Sequence, residues 1–446
     1  MKWIRHMFWA SLLFLAVAVV LTATLRWFAV SREAEADVAM MMAPPPAPTG
    51  DNGFAALALI NHEVPADQLA QALAEEVARF ASFERINREA MVAMARKSPQ
   101  SATDGGLAYT LLEDSGYPLR EPIELGDTAC RWRPEGCLAQ VRDNADAVRD
   151  LLAQAGERTA LAERALASGH IHSPFPPAFA APLPAYQMLR LPLTAAALDA
   201  VEGRLPDAMA RTCGVLANAR RHGRNSPDLI HAAVMSSLAN GAAGLLLDLR
   251  RAAPETPLPS ACRAALEPVR GEDYLICSAM RGEFRMVSRV GHELDASLAE
   301  RWNPRDVFLR LTAFDAGTQD AWMAPRFADT CRDNYRDQVL AGQVPPSTHR
   351  VKGLSSPTCW GAVISCILSD ISMPSADKYQ QRQLDNAARL RLQLAALAVL
   401  DGRITRDQTT TAGASPGYPV EVEGDRLVIP LQYTGQDPEP RFSVAL

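Results

Sequence analysis

The sequence lacks the short motifs by which many enzymes hold phosphates, metals or acyl groups. A P-loop, a Gly-x-Gly-x-x-Gly turn, a His-Glu-x-x-His helix and a Gly-x-Ser-x-Gly elbow are all absent from its 446 residues. His292-Glu293 comes nearest to the zinc motif, but no second histidine follows four residues later. A Ser–His–acid site assembled from distant positions stays open, because such sites are recognised by geometry rather than by spacing.

The chain also lacks a surplus of basic residues. It has 45 Lys and Arg against 51 Asp and Glu, and the net charge of −6 is spread without long runs. Nucleic-acid binding needs a concentrated basic face, so we expect no nucleic-acid partner. The densest basic cluster, residues 220–224, is interpreted as a helix C-terminus, where cations interact favourably with the helix dipole. The alternative interpretation is an anion-binding site.

Aromatic residues are few, at 6% of the chain, whereas alanine and leucine dominate. Since both of these residues favour helices, the composition predicts a mainly α-helical protein.

One long apolar run, Met7–Leu25, carries no charge. A helix needs about 20 apolar residues to cross a bilayer, so this run with its flanking aromatics predicts a transmembrane anchor over residues 7–28. A short basic tail, residues 1–6, favours a cytoplasmic N-terminus, with the rest of the chain outside the inner membrane, in the periplasm. The alternative is a cleaved signal peptide, whose apolar region is usually shorter.

Residues 29–53 are small, acidic and proline-rich, with a Pro/Ala run at 44–48. Because proline fixes φ and has no backbone donor, we predict a semi-rigid, extended spacer here. The methionine triplet at 40–42 is interpreted as part of this linker rather than as a copper site, since soft-metal sites need convergent ligands.

Apolar residues recur at helical spacing through most of the remaining chain. The predicted helices cover residues 65–97, 138–167, 185–205, 206–221, 229–251, 279–301, 306–322, 325–340, 361–371 and 376–400. A proline-rich stretch at 173–184 separates them. We therefore predict an N-terminal helical subdomain over residues 54–172 and a main helical subdomain over residues 185–405.

The predicted helix 229–251 is the one stretch after the anchor that resembles a second span, because residues 229–247 carry no charge. Its histidine, serine, asparagine and glycine residues make transfer into lipid less favourable. Burial at the centre of a helical bundle is therefore the favoured interpretation, and a membrane span is the alternative.

The C-terminal segment, residues 406–446, carries the only strong strand signal. Residues 418–423 and 426–433 alternate in period two on either side of Gly424-Asp425, which predicts a β-hairpin. The predicted fold class is thus mainly α, with an N-terminal transmembrane helix, a disulfide-linked multi-helix exterior domain and a small C-terminal hairpin.

All eight cysteines follow the apolar run, and an even number outside the cytoplasm predicts disulfides. They are Cys130, Cys137, Cys213, Cys262, Cys277, Cys331, Cys359 and Cys366. Cys130–Cys137 and Cys262–Cys277 are the predicted local pairs, each around a Pro/Gly-containing loop. Cys359 and Cys366 can pair only if Cys359 lies outside the helix that holds Cys366, since in one straight helix they are about 10 Å apart.

Two further patterns have an alternative chemical interpretation. His170-x-His172 offers two metal ligands, but no Asp, Cys or third His lies nearby in the sequence, so an ordinary loop is favoured. Ser375-x-x-Lys378 has the nucleophile–base spacing of penicillin-binding proteins, but no Lys-Thr-Gly accompanies it, and Ser375 follows Pro374 where a helix N-cap is expected. We therefore assign no catalytic, cofactor-binding or metal-binding residue and expect no cofactor.

The cysteine neighbourhoods carry a family resemblance. They are Cys130-x₆-Cys137-Leu138, Leu258-Pro259-x₂-Cys262, Cys277-x-Ala279-Met280-Arg281-Gly282-Glu283-Phe284 and the segment from Cys366 to Tyr379. Together they resemble a group of proteobacterial single-span proteins with a basic tail, a Pro/Ala spacer and a helical periplasm-facing domain. The resemblance implies no activity.

These features lead to a functional hypothesis. The inner membrane, through residues 7–28, and an unidentified envelope protein are the expected partners of a non-enzymatic interaction protein, an inhibitor, immunity factor or envelope scaffold. The alternative is a periplasmic hydrolase with a dispersed Ser/His/acid site. A pocket that joins a histidine to a serine and a carboxylate would favour the hydrolase, whereas a broad exposed apolar patch would favour the binding protein.

Overall fold

The computed structural model describes residues 2–97, 109–113, 116–133, 135–178, 180–224, 226–299, 304–346, 357–371, 374–433 and 440–446. The protein is mainly helical, with 64% helix and 5% strand. The helices are α1 (Lys2–Ala29), α2 (Arg32–Met42), α3 (Phe54–Ala58), α4 (Leu69–Lys97), α5 (Cys137–Asp143), α6 (Ala145–Ala155), α7 (Glu157–Ala167), α8 (Arg190–Val201), α9 (Leu205–Gly223), α10 (Leu229–Ala252), α11 (Cys262–Ala265), α12 (Cys277–Ala299), α13 (Pro304–Thr312), α14 (Ala316–Ala328), α15 (Asp333–Leu340), α16 (Val363–Ile371), α17 (Ala376–Leu400) and α18 (Thr409–Ala412).

The chain packs as two compact units, each assembled from segments that are distant in sequence. Unit 1 contains Met1–Pro45, Pro227–Leu229 and Leu275–Gln380, and unit 2 contains Pro46–Ser226, Ile230–Tyr274 and Gln381–Leu446. Unit 2 includes residues on both sides of the proline-rich stretch 173–184. The subdomain boundaries drawn from the sequence stay predictions.

Two of the described helices, α1 and α10, are long and apolar enough to cross a membrane, judged by length and composition alone. The most apolar part of α10 is 78% buried in the protein, whereas that of α1 is not buried. The polar residues of α10 bond to α17: Ser236 donates to Gln383 Oε1 at 2.6 Å and Asn240 donates to Asn386 O at 3.2 Å. The structure thus favours the interpretation of α10 as a buried helix.

Three predicted helices are wrong because each contains breaks. The predicted helix 138–167 is three helices, α5, α6 and α7, which are separated at Asn144 and at Gly156, where φ is +52°. Glycine accepts this left-handed conformation without the steric cost that a Cβ brings. The predicted helix 306–322 is divided between α13 and α14, and Asp315 caps α14 by accepting from Thr318 N at 2.9 Å. The predicted helix 325–340 is divided between the end of α14 and α15, with the 3-10 helix Asp329–Cys331 between them.

The prediction of an extended spacer is wrong for residues 32–42, which form α2. Ser31 caps this helix, and Glu33 and Glu35 lie in its first turn, where acidic side chains interact favourably with the helix dipole. Met41 is fully buried in the apolar core of unit 1. The helix is therefore a packed part of unit 1, and residues 43–51 after it form no helix or strand.

The predicted C-terminal hairpin is confirmed, and a third strand extends it. Strand β1 (Glu421–Glu423) pairs antiparallel with β2 (Arg426–Pro430) around Gly424, with Glu423 opposite Arg426. Strand β3 (Arg441–Ala445) then pairs antiparallel with β2, with Leu427 opposite Val444. Strand β3 was not predicted, although residues 441–444 also alternate between polar and apolar side chains.

The eight cysteines lie in four pairs at disulfide distance: Cys130–Cys137, Cys213–Cys262, Cys277–Cys331 and Cys359–Cys366. The predicted Cys262–Cys277 pair is wrong. Cys262 begins α11 and faces α9, which holds Cys213, with 4.8 Å between the two Cα atoms. Cys277 begins α12 and meets Cys331 at the end of the 3-10 helix that follows α14.

Peptide mapping without reductant should link Cys213 to Cys262 and Cys277 to Cys331. Replacing both Cys213 and Cys262 by alanine should lower the free energy of unfolding by about 4 kcal/mol, because the chain-entropy cost grows with the loop that the bond closes. The Cys130–Cys137 bond closes a much shorter loop. The matched Cys130→Ala/Cys137→Ala variant should therefore lower the free energy of unfolding by only about 2.5 kcal/mol on the same basis. A Cys262–Cys277 peptide would contradict these pairings.

Two histidines are buried in unit 2, at 5% exposure for His222 and 1% for His231. The Nε2 atom of His222 lies 2.8 Å from Leu166 O, and the Nδ1 atom of His231 lies 3.1 Å from the Tyr186 hydroxyl. Desolvation lowers the pKa of His222 to about 4 and the pKa of His231 to about 3. Both imidazoles are therefore neutral at neutral pH.

We expect the free energy of unfolding to fall as the pH is lowered from about 6.5 towards 4. Both histidines have a depressed pKa in the folded state, so the unfolded chain binds more protons in this window. Each adds a slope of up to about 1.4 kcal/mol per pH unit. His222→Gln should remove a large part of this slope in denaturant titrations, whereas the exposed His6→Gln control should leave it unchanged. An unaltered slope in His222→Gln would show that this histidine does not titrate on unfolding.

Candidate functional site

The structure shows where the candidate residues from the sequence lie and what they contact. The rings of His170 and His172 lie 5.2 Å apart, between centroids. Within the described part of the chain, no three His, Cys, Asp or Glu side chains are grouped so that they could hold a metal ion. Ser375 directly precedes α17, and its carbonyl accepts from Tyr379 N at 3.0 Å, so it occupies the predicted N-cap position.

The basic cluster at residues 220–224 lies at the C-terminus of α9, as predicted. The Arg220 guanidinium donates to the carbonyls of Ala265, Glu267 and Pro268 at 2.7–3.0 Å. Arg221 donates to three carbonyls at the end of α7, those of residues 166–168. These cations therefore hold backbone segments of unit 2 together.

A different polar cluster, Ser288–Asp320–His292, lies in unit 1. The Ser288 hydroxyl donates to Asp320 Oδ2 at 2.8 Å, and His292 Nε2 lies 2.9 Å from the same oxygen. Ser288 is fully buried and Asp320 is 5% exposed, whereas the His292 side chain is 57% exposed. One buried carboxylate thus bridges a buried hydroxyl and an accessible imidazole.

Helix geometry brings these three residues together. Ser288 and His292 are four residues apart on α12, so they lie on one face of the helix. Asp320 lies on α14, which packs against that face. Gly291 allows the close approach, because a Cβ at this position would lie 3.0 Å from the side-chain nitrogen of Gln319 on α14.

The cluster opens into a cavity of about 1120 Å³ within unit 1. Apolar residues of α1, including Val19 and Ala23, line one side of it. Charged and titratable residues line it as well: Arg26 at the end of α1, Arg32 and Glu35 on α2, and His292, Asp315 and Asp320. The lining of the cavity is thus amphipathic, and the His292–Asp320 pair is part of it.

The order of contacts decides what chemistry the cluster can perform. In a serine triad the histidine lies between the serine and the acid, so that it can take the proton of the hydroxyl. Here Asp320 lies between Ser288 and His292, and Ser288 is buried away from solvent. Ser288 is therefore oriented as a hydrogen-bond donor to the carboxylate rather than as a nucleophile. The remaining chemical capacity is that of a His–carboxylate pair, which can accept a proton from a bound water or ligand.

Burial also sets the electrostatics of the cluster. Desolvation raises the pKa of Asp320, and the hydrogen bonds from Ser288 and His292 oppose this rise only in part. The second carboxylate oxygen, Oδ1, is buried and makes no hydrogen bond to any described residue. Keeping this carboxyl group buried therefore costs free energy when it is ionised.

In the sequence, His292 is recognisable only as half of a zinc motif, and nothing local connects it with Asp320. The one local signal was Ser288 and His292 at a spacing of four on an amphipathic helix. Their carboxylate partner lies 28 positions after His292, on another helix, and no spacing rule reaches that far.

The chain matches no family model, no curated protein and no solved structure. The resemblance to proteobacterial single-span proteins stays a prediction.

We expect Asp320→Asn to gain stability relative to the native chain as the pH rises from about 4 to 7. A folded-state pKa above the unfolded value contributes stability at low pH, and this contribution is lost as the pH rises through the folded pKa. The asparagine removes the buried charge but retains an acceptor oxygen. Chemical denaturation of the full chain in detergent at several pH values measures this difference. The exposed Asp333→Asn should show no such trend, and a growing advantage of the native chain with pH would contradict the assigned direction.

Proposed function

We propose that this protein is a membrane-anchored interaction protein of the bacterial periplasm, an inhibitor, immunity factor or envelope scaffold that binds a protein partner and catalyses no reaction. The observation that carries this proposal is the order Ser288–Asp320–His292. It brings together the residue types of a hydrolase but leaves the serine without a base. Such a cluster is suited to recognition by hydrogen bonds and charge.

The location follows from two supporting features. Helix α1 contains a candidate span of 22 residues, Arg5–Arg26, whose most apolar part is not buried in the protein, as expected of a helix that crosses a membrane. The four cysteine pairs are compatible with an exported protein. On this proposal the N-terminus is cytoplasmic, and the chain that follows α1 lies on the periplasmic side of the inner membrane.

The cavity of unit 1 is the proposed recognition site for a side chain or terminus of the partner. Arg32 and Glu35 are exposed at its edge, and charged groups of both signs there favour a partner with complementary charges. Confinement to the membrane raises the effective concentration of the protein towards partners at the same surface.

The test uses the full chain in native membranes, cross-linked and purified with its partner. We expect one envelope or secreted protein to be captured repeatedly, and Glu35→Arg to reduce its recovery at least about tenfold, which corresponds to about 1.4 kcal/mol. The matched exposed control, Glu75→Arg in unit 2, should capture as the native chain does. Equal recovery with Glu35→Arg would contradict the cavity as the recognition site. The absence of any specific partner would contradict the binding role itself.

A second candidate function rests on the His292–Asp320 pair itself. A histidine held by a buried carboxylate is a general base in many hydrolases, and an accessible one beside a large cavity suits activation of water. The binding hypothesis expects no turnover of ester, peptide or glycan substrates above background. Turnover that His292→Ala abolishes, while the four cysteine pairs remain intact, would establish the periplasmic hydrolase instead.

A further inference from the structure

Unit 1 exposes five large apolar side chains on three neighbouring elements. Val307, Phe308 and Leu311 of α13 are 37%, 52% and 44% exposed, Trp360 is 58% exposed and Ile367 of α16 is 42% exposed. Trp360 belongs to the 3-10 helix Pro357–Gly361. We refer to these five residues as the apolar face. Exposed large apolar groups in such number mark an interaction surface.

The apolar face lies beside the end of α1. The Thr22 hydroxyl is 3.2 Å from Leu311 O, and Arg26 Nε donates to Gly361 O at 2.7 Å. Gly361 approaches α1 so closely that a Cβ there would lie 3.1 Å from the Cβ of Leu25. The backbone of α13 and of the 3-10 helix is therefore level with residues 22–26 of α1.

This level coincides with the end of the uncharged run. The run ends at Leu25, and Thr22 lies one turn before it, about 5 Å along the helix axis at 1.5 Å per residue. If α1 crosses the membrane, as proposed above, groups at the depth of Thr22 lie where hydrocarbon meets the lipid headgroups. An element that contacts α1 at this depth meets lipid on its other side.

The chemistry of α13 agrees with this position. Asp306 is 8% exposed, and Arg310, whose side chain is 48% exposed, donates through Nε to Asp295 at 3.1 Å. The apolar side chains face outward, which is the reverse of a helix on a water-exposed surface. An exposed tryptophan also fits an interfacial position, since its ring combines an apolar body with a polar N–H.

We propose that the apolar face inserts into the periplasmic leaflet beside the anchor, so that unit 1 contacts lipid through a surface of its own as well as through α1. The partner is a lipid surface, because α1 fixes the face at the depth of the bilayer interface. A second copy of the chain or another protein would have to reach the same depth to cover it. The inference rests on the membrane anchoring of the proposed function and is independent of any protein partner.

Photo-cross-linking tests the inference in the full chain. A benzophenone-bearing amino acid replaces Phe308 or Trp360, one at a time, and the protein is reconstituted in vesicles of phosphatidylethanolamine and phosphatidylglycerol. Phe14, 77% exposed on α1, is the positive control for the anchor. Asn334 on α15 is the matched exposed control, separated from the end of α1 by the length of α14, about 20 Å. Non-reducing peptide mapping checks that each variant retains its four cysteine pairs.

We expect lipid adducts by mass spectrometry at Phe14, Phe308 and Trp360, each several-fold more abundant than at Asn334. Adducts at Phe14 with only background at Phe308 and Trp360 would overturn the inference and leave the anchor intact. Adducts to a second protein chain at these positions would overturn it in favour of a protein partner. Background at Phe14 would overturn the anchoring itself, and the inference with it. Partner capture is measured separately, so its failure affects only the binding role.

Discussion

The assembly of unit 1 depends on how one charge, that of Arg26, is accommodated at the end of an apolar helix. Its guanidinium donates to Gly361 O at 2.7 Å, to Arg310 O at 2.9 Å and to Phe314 O at 3.0 Å. Carbonyls at the end of a helix lack intrahelical donors. Arg26 therefore donates hydrogen bonds to carbonyls at the end of α13, and these carbonyls in turn solvate its charge. This set of contacts holds α13 and the 3-10 helix against α1. The cavity beside His292 and the level of the apolar face both follow from that arrangement.

A second constraint closes unit 1 at its other end. The Arg332 guanidinium binds both oxygens of the buried Asp37 at 2.9 and 3.1 Å, which ties α2 to the end of α14. Cys331, the adjacent residue, pairs with Cys277 at the start of α12. An ion pair and a covalent link between neighbouring positions thus fix three helices that are distant in sequence. This explains why α2, predicted to be a free spacer, is part of a packed unit.

The parts of the fold that could be predicted are those whose sequence signals lie within a single segment. Helix α17 has the predicted bounds, Ala376–Leu400, because its periodicity and both end signals lie within the segment. The hairpin turn at Gly424 was predicted for the same reason. The breaks within 138–167 were missed because apolar spacing continues through Asn144 and Gly156, while the backbone turns there to pack against other helices. The Cys213 and Cys277 pairings were inaccessible because each joins residues about fifty positions apart.

The candidate site was beyond sequence analysis for a more specific reason. Its members are ordinary residues on two amphipathic helices, and only the packing of α12 on α14 at Gly291 turns them into a cluster. The same packing also decides the chemistry, because it places the carboxylate of Asp320 rather than the imidazole of His292 against the Ser288 hydroxyl. A rotation of α12 by one residue, about 100°, would move both Ser288 and His292 off this face and leave Asp320 buried without either partner. The register of these two helices, as well as the identity of the three residues, therefore determines which groups contact the Asp320 carboxylate.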